Sequence, residues 1–138
     1  MRYLLLLFTF IISLSVQSSE IELVQNFIEL SDATKVKGAT EEDIEAVATL
    51  LSENMRYKDP KYGADLSKQE FLDGLRHWMG KAEFLQTNIK NMVVGEQAIT
   101  VALISKSKMD GKVEVDEKPL MRLFEFKNGR VSLIKEYW

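Results

Sequence analysis

Hydrophobic positions fall into two regimes along this chain. Between residues 20 and 79 they recur every three to four positions, whereas from Phe84 onward they alternate or run in short blocks divided by turn dipeptides. The first regime predicts helices. Leu23, Val24, Phe27, Ile28 and Leu30 form one stripe over residues 20–35, and Glu22, Gln25, Asn26 and Glu29 fill the other arc. After a polar break at Lys35-Val36-Lys37-Gly38, Thr40 precedes Glu41, Glu42 and Asp43. That is a helix cap with an acidic first turn, Asp43 standing where a capping box usually carries Glu. Ile44, Val47, Ala48 and Leu51 line the second helix, which Leu50 widens and which fades near Asn54. Met55–Asp59 alternates briefly before Pro60 and predicts a short strand entering a turn, with loop over Lys61–Asp65. Ser67-Lys68-Gln69-Glu70 is a capping box opening a third helix to about Met79, its buried arc made by Phe71, Leu72, Leu75, Trp78 and Met79 and its end by Gly80.

The second regime predicts strands at Phe84–Val94, Ala98–Met109, Val113–Val115, Leu120–Lys127 and Arg130–Trp138. Gly95-Glu96, Asp110-Gly111 and Asn128-Gly129 divide them, the last two being strong hairpin dipeptides because they tolerate left-handed backbone. A two-residue turn at Asn128-Gly129 sets Phe126 opposite Val131, Phe124 opposite Leu133, Arg122 opposite Lys135 and Leu120 opposite Tyr137. Both faces of that hairpin are half apolar. One face can pack on the helices while the other meets a partner sheet or lines a cavity. Three helices followed by a strongly curved antiparallel sheet define an α+β class with the helices on one side. No internal repeat is visible.

The N-terminus follows another logic. Met1-Arg2 is a short basic start, Tyr3–Leu14 is almost wholly Leu, Phe and Ile, and Ser15, Val16, Gln17, Ser18 and Ser19 lead into polar sequence at Glu20. This is the layout of a secretory signal, too short for a comfortable membrane span of roughly 20 residues. The expectation is a signal peptide at residues 1–18 and one domain at residues 19–138, exported to the periplasm or secreted, with no stable span once the leader is removed. An uncleaved anchor is the alternative. The whole chain carries 18 basic and 21 acidic residues and no cysteine. Disulfide frameworks, thiolate metal sites and cysteine nucleophiles are thereby excluded. Mild acidity with dispersed basic residues argues against nucleic acid as a partner. A phosphate-cradling glycine loop, a Gly-x-Ser-x-Gly elbow and a His-Glu-x-x-His helix are all missing from the sequence, so no cofactor is expected.

The order of these pieces over residues 20–138 resembles the SnoaL-like branch of the nuclear-transport-factor-2-like superfamily, whose ketosteroid-isomerase-like members are cone-shaped α+β barrels. The pieces are the helical start, Met55-Arg56-Tyr57-Lys58-Asp59-Pro60, the capped helix Ser67–Met79, the closing hairpin Arg122–Val131, and Lys135-Glu136-Tyr137-Trp138. The resemblance implies a deep, mostly apolar pocket between helices and sheet, and a homodimer formed through the sheet. It also implies a general base at the position of Asp59-Pro60. A carboxylate in a semi-apolar pocket can shuttle a proton between two carbons of an enolisable substrate. The isomerases add an oxyanion hole from a first-helix Tyr and a strand Asp. Here residues 20–35 hold no Tyr, and Ala98–Met109 holds Ser105, Lys106 and Ser107 but no Asp.

Asp59 is therefore read as a candidate base, or as a turn residue accepting backbone hydrogen bonds. Tyr57 lies two residues away on the same strand face and is a candidate hydroxyl donor, or a core aromatic. Trp78, Arg122, Phe124, Lys135 and Tyr137 are the remaining pocket candidates, with Arg122 and Lys135 able to meet an anionic group or to sit at a solvated sheet end. His77, the single histidine, points away from the apolar arc of its helix and offers poor material for a metal site. The function expected is binding of a small apolar or amphipathic molecule. The alternatives are an isomerase, cyclase or dehydratase using Asp59, and an interaction module whose pocket is filled by side chains.

Overall fold

The computed structural model describes the backbone from residue 2 and side chains from residue 16. The expected leader at residues 1–18 thus lies almost wholly outside the described side chains. The chain folds as α1 (Arg2–Ala33), α2 (Glu41–Thr49), β1 (Leu51–Asp59), β2 (Ala64–Ser67), α3 (Lys68–Trp78), β3 (Phe84–Val94), β4 (Ala98–Met109), β5 (Lys112–Val115), β6 (Leu120–Lys127) and β7 (Arg130–Tyr137). Among the described residues, no helix is long and apolar enough to cross a membrane.

The helices start where their caps predict. Ser67 Oγ accepts from Glu70 N at 3.3 Å while Glu70 Oε2 accepts from Ser67 N at 2.7 Å, a closed capping box. At α2, Thr40 N donates to Asp43 Oδ2 at 2.7 Å, so the shorter Asp serves in the Glu position. Two elements differ from the sequence expectation. The second helix stops at Thr49 and β1 begins at Leu51, four residues before the expected strand. β2 begins inside the segment expected to be loop, Lys61–Asp65, and pairs antiparallel with β1 from Arg56↔Ser67 to Asp59↔Ala64. Its four residues, Ala64-Asp65-Leu66-Ser67, are too few for their alternation to mark a strand, and an existing strand edge orders them, helped by the Arg56–Asp65 ion pair at 2.7 Å.

The sheet runs β2-β1-β7-β6-β4-β3, and β5 pairs with the distal half of β4. Every pairing is antiparallel except β1 with β7, which is parallel. The path does not close: β2 and β3 remain edges. Both hairpin dipeptides take left-handed backbone, Asp110 at φ 49° with Gly111 at 76°, and Asn128 at 52° with Gly129 at 73°. The expected pair Phe126↔Val131 forms. Beyond it a bulge leaves Ser132 unpaired, and the register shifts to Glu125↔Leu133, Phe124↔Ile134, Arg122↔Glu136 and Met121↔Tyr137.

The core lies between the helices and one sheet face. Val24 and Phe27 of α1, Ile44 and Val47 of α2, and Leu72 and Leu75 of α3 meet Ile99, Val101, Phe124, Val131 and Ile134. Phe27 is the hub. Its ring stacks on Phe71 at 6.1 Å and meets Phe124 edge-on at 5.5 Å between centroids. Truncating the fully buried Phe124 to Ala should cost about 3–5 kcal/mol. Ser67→Ala, which removes one cap, should cost about 1 kcal/mol. Urea unfolding of both variants measures that contrast.

Candidate functional site

Toward one end of the sheet the core opens into a cavity of about 550 Å³. Phe27, Phe71, Leu75, Leu85, Leu103 and Leu120 form its apolar wall. Its polar groups arrive from separate elements: Ser31 and Asp32 at the end of α1, Lys35 in the turn after it, Tyr57 and Asp59 on β1, Thr87 on β3, Ser105 on β4, Arg122 on β6 and Glu136 on β7. Strand alternation accounts for the pairs two apart, because Tyr57 and Asp59 share a face as Ile134 and Glu136 do.

The central feature is a buried ion pair. Arg122 Nε lies 2.8 Å from Glu136 Oε1 and Nη2 lies 2.6 Å from the same oxygen, while Tyr57 OH donates to Glu136 Oε2 at 2.9 Å. The Arg122 guanidinium also lies over the Phe27 ring, 5.9 Å from its centroid. Burial, reinforced by the adjacent Glu136 carboxylate, pushes the Tyr57 phenol well above its ordinary range, so it stays a donor.

The other two carboxylates are also engaged. Asp59, 3% exposed, accepts from Lys61 N at 3.0 Å and from Trp138 Nε1 at 2.8 Å, one donor per oxygen. Asp32 ties α1 to β3 by accepting from Thr87 N at 2.7 Å and Thr87 Oγ1 at 2.9 Å. Two groups remain over. Ser31 Oγ is buried with no hydrogen-bond partner. Lys35 is half-buried, and none of the hydrogen bonds or ion pairs among the described residues uses its amine. Burial lowers the Lys35 amine below its ordinary range and Arg122 adds to the effect, against opposition from Asp32 and Glu136.

Of the residues singled out from sequence, Tyr57, Asp59, Trp78 and Arg122 line this cavity. Trp78 was placed on a buried arc, yet it is 47% exposed and stands at the mouth with Lys81 Nζ 4.6 Å from its ring. Phe124 is fully buried in the core against Phe27 and is not in the lining. Lys135 and Tyr137 belong to the opposite sheet face, stacked on each other at 5.2 Å. The Ser132 bulge is the reason: it exchanges the faces of every later residue on β7, so Arg122 meets Glu136 instead of Lys135. His77 is exposed, in agreement with its position on the helical wheel. Glu136, Lys35, Ser31 and Trp138 escaped sequence reasoning. A bulge leaves no dipeptide signature, and Lys35 sits in what reads as a polar break. No group of three or more His, Cys, Asp or Glu suited to a metal ion occurs among the described residues.

Helices on one face of a curved sheet, with a cavity between them, define the cone-shaped α+β class to which ketosteroid-isomerase-like proteins belong. The SnoaL-like domain family matches residues 35–134, and the chain belongs to that family. Among solved structures, a Mycobacterium tuberculosis LEH-like epoxide hydrolase is similar at TM-score 0.68 and 16% identity, over 87% of this chain and 82% of that one. A ketosteroid isomerase-like fold from Catenulispora acidiphila, in complex with trimethylamine, gives TM-score 0.66 and 14% identity over 85% of each chain. An NTF2-like protein from Burkholderia pseudomallei gives 0.67 and 14%, over 87% of this chain and 90% of that one. At these identities the likeness is one of fold. No curated protein matches the chain.

Two stability experiments follow from the cavity. Arg122→Met leaves Glu136 as an uncompensated buried charge and should cost about 3–5 kcal/mol, whereas adding Glu136→Gln should recover part of that loss in denaturant titrations. Lys35 titrates near 10.5 in the unfolded chain and lower in the folded one. Between those values the unfolded chain binds more protons, so stability rises with pH, and below the folded value the full penalty for a buried ammonium is present. Lys35→Met should therefore raise the Tm near neutral pH, and its advantage should shrink as the pH approaches 10.5.

Proposed function

We propose that this chain is an exported small-molecule-binding protein that holds an amphipathic ligand in the central cavity, residues 1–18 acting as a signal peptide and residues 19–138 as the mature domain. The supporting observation is the division of the cavity into an apolar wall and a cluster of polar groups. Phe27, Phe71, Leu75 and Leu103 offer surface to a hydrocarbon or aromatic body, and Arg122, Lys35 and Ser31 offer donors to a polar head. A pocket filled by side chains is the poorer reading, given about 550 Å³ of free space.

An isomerase, cyclase or dehydratase using Asp59 is the second reading, favoured by the burial of that carboxylate on the cavity wall. A substrate would have to compete for oxygens already accepting from Lys61 N and Trp138 Nε1, which weighs toward binding without turnover. The structural relative named as an epoxide hydrolase keeps hydrolytic chemistry within view of this reading. Homodimer formation is proposed through the outer sheet face, where Val93, Met121 and Tyr137 are 65%, 40% and 45% exposed.

Both tryptophans of the chain, Trp78 and Trp138, line the cavity, so their fluorescence reports its occupancy. Anilinonaphthalene sulfonate should bind the mature chain at one molecule per protomer and accept energy from them. Leu85→Trp, which fills the cavity from its half-buried wall, should weaken that binding about tenfold or more. Undiminished affinity in Leu85→Trp would place the dye elsewhere and remove the support for the cavity. Asp59→Asn should leave dye binding in place; loss of a turnover activity in that variant would establish the enzymatic reading instead.

A further inference from the structure

Once the cavity's hydrogen bonds are assigned, Ser31 Oγ and the Lys35 amine are left over among the described residues, and both residues line the cavity. Ser31 lies in the last turn of α1 and Lys35 in the turn that follows, two residues past Ala33. The segment holding them is well tied. Thr34 N donates to Leu30 O at 3.2 Å, Lys35 N to Asp32 O at 3.0 Å, and Ala82 N to Lys35 O at 2.8 Å. Neither group is an accident of a loose tail.

A buried ammonium ordinarily takes a carboxylate. Three carboxylates line this cavity and each is committed elsewhere: Asp32 to Thr87, Asp59 to Lys61 N and Trp138, Glu136 to Arg122 and Tyr57. Arg122 already supplies a cation to the same space, which disfavours a second. An amine without a counter-ion, in a partly apolar cavity beside another cation, is the arrangement in which lysine acts as a nucleophile. The unpartnered Ser31 hydroxyl, on the wall of the same cavity, is a hydrogen-bond donor in need of an acceptor.

We propose that Lys35 forms an imine with a small aldehyde or ketone held in the cavity, with Ser31 Oγ donating a hydrogen bond to the carbonyl oxygen. This rests on the cavity being a binding site. The free amine attacks the carbonyl carbon; its lone pair becomes the C–N bond as the C=O π pair moves to oxygen. Oxygen then gains the proton that nitrogen loses, giving a neutral carbinolamine. Protonation of its hydroxyl and loss of the second N–H proton break the C–O bond, releasing one water and leaving C=N. No electrons enter or leave overall. The apolar wall selects a carbonyl compound with a hydrocarbon or aromatic tail, and the lowered basicity of Lys35 gives it a larger share of free amine than an exposed lysine has.

The test uses cinnamaldehyde with cyanoborohydride to trap the imine as a stable secondary amine, located by peptide mapping. Cinnamyl alcohol, which cannot form an imine, measures cavity occupancy by displacing anilinonaphthalene sulfonate. Lys35 in the folded chain should be labelled on the order of tenfold faster than exposed lysines, an advantage that vanishes in denaturant. Lys35→Met should lose that adduct with surface labelling unchanged. If the alcohol displaces the dye but Lys35 reacts no faster than exposed lysines, the imine is overturned and the binding site stands. If the alcohol displaces nothing and Lys35 is unselective, both fall. The wild-type comparison alone decides these cases, should the variant fail to fold.

Discussion

The ion pair between Arg122 and Glu136 is the constraint on which the cavity depends. Two opposite charges taken from water must be joined closely and have their remaining hydrogen-bond capacity met. Here Arg122 supplies Nε and Nη2, and Tyr57 OH covers the other carboxylate oxygen, so β1, β6 and β7 are joined at one point. A one-residue bulge brings the two charges together. Without Ser132 as the extra residue, Lys135 would face Arg122, two like charges would share the inner sheet face, and Glu136 would lie outside.

That junction also stands where the apolar core meets the polar part of the cavity lining. Below it, Phe27 touches Phe71 and Phe124, and the apolar residues of all three helices close on the sheet. Above it, Thr87 of β3 completes Asp32 at the end of α1, and the C-terminal Trp138 completes Asp59. The end of α1 and the turn after it carry the two groups left uncompleted, Ser31 and Lys35. A fold of this size gains nothing in stability from an unpaired buried hydroxyl and a buried amine without a counter-ion. On the cavity wall they are the groups that the proposed ligand would complete.

Much of the fold was legible because its signals are local. The capping box at Ser67 and Glu70 starts α3, the Asn128-Gly129 turn joins β6 to β7, and the change of period at Phe84 marks the passage from helix to strand. β2 was not legible, since its order comes from the edge of β1 and not from its own four residues. Half of the site was likewise accessible. Tyr57 and Asp59 follow from alternation before a proline, and Arg122 from its place on a largely apolar hairpin face.

Sequence by itself determined the element order, the caps, the tight turns and the α+β class, because each depends on residues within a few positions of one another. Tertiary structure decided which charges meet. The side-chain period of a strand is two, so one unpaired residue at Ser132 was enough to send Lys135 and Tyr137 outward and bring Glu136 onto Arg122. It also decided that Lys35, read from sequence as part of a polar break, would be left in a cavity whose carboxylates already have partners. Those partners, Thr87, Lys61 N, Trp138, Tyr57 and Arg122, come from separate elements, and no local pattern records their convergence.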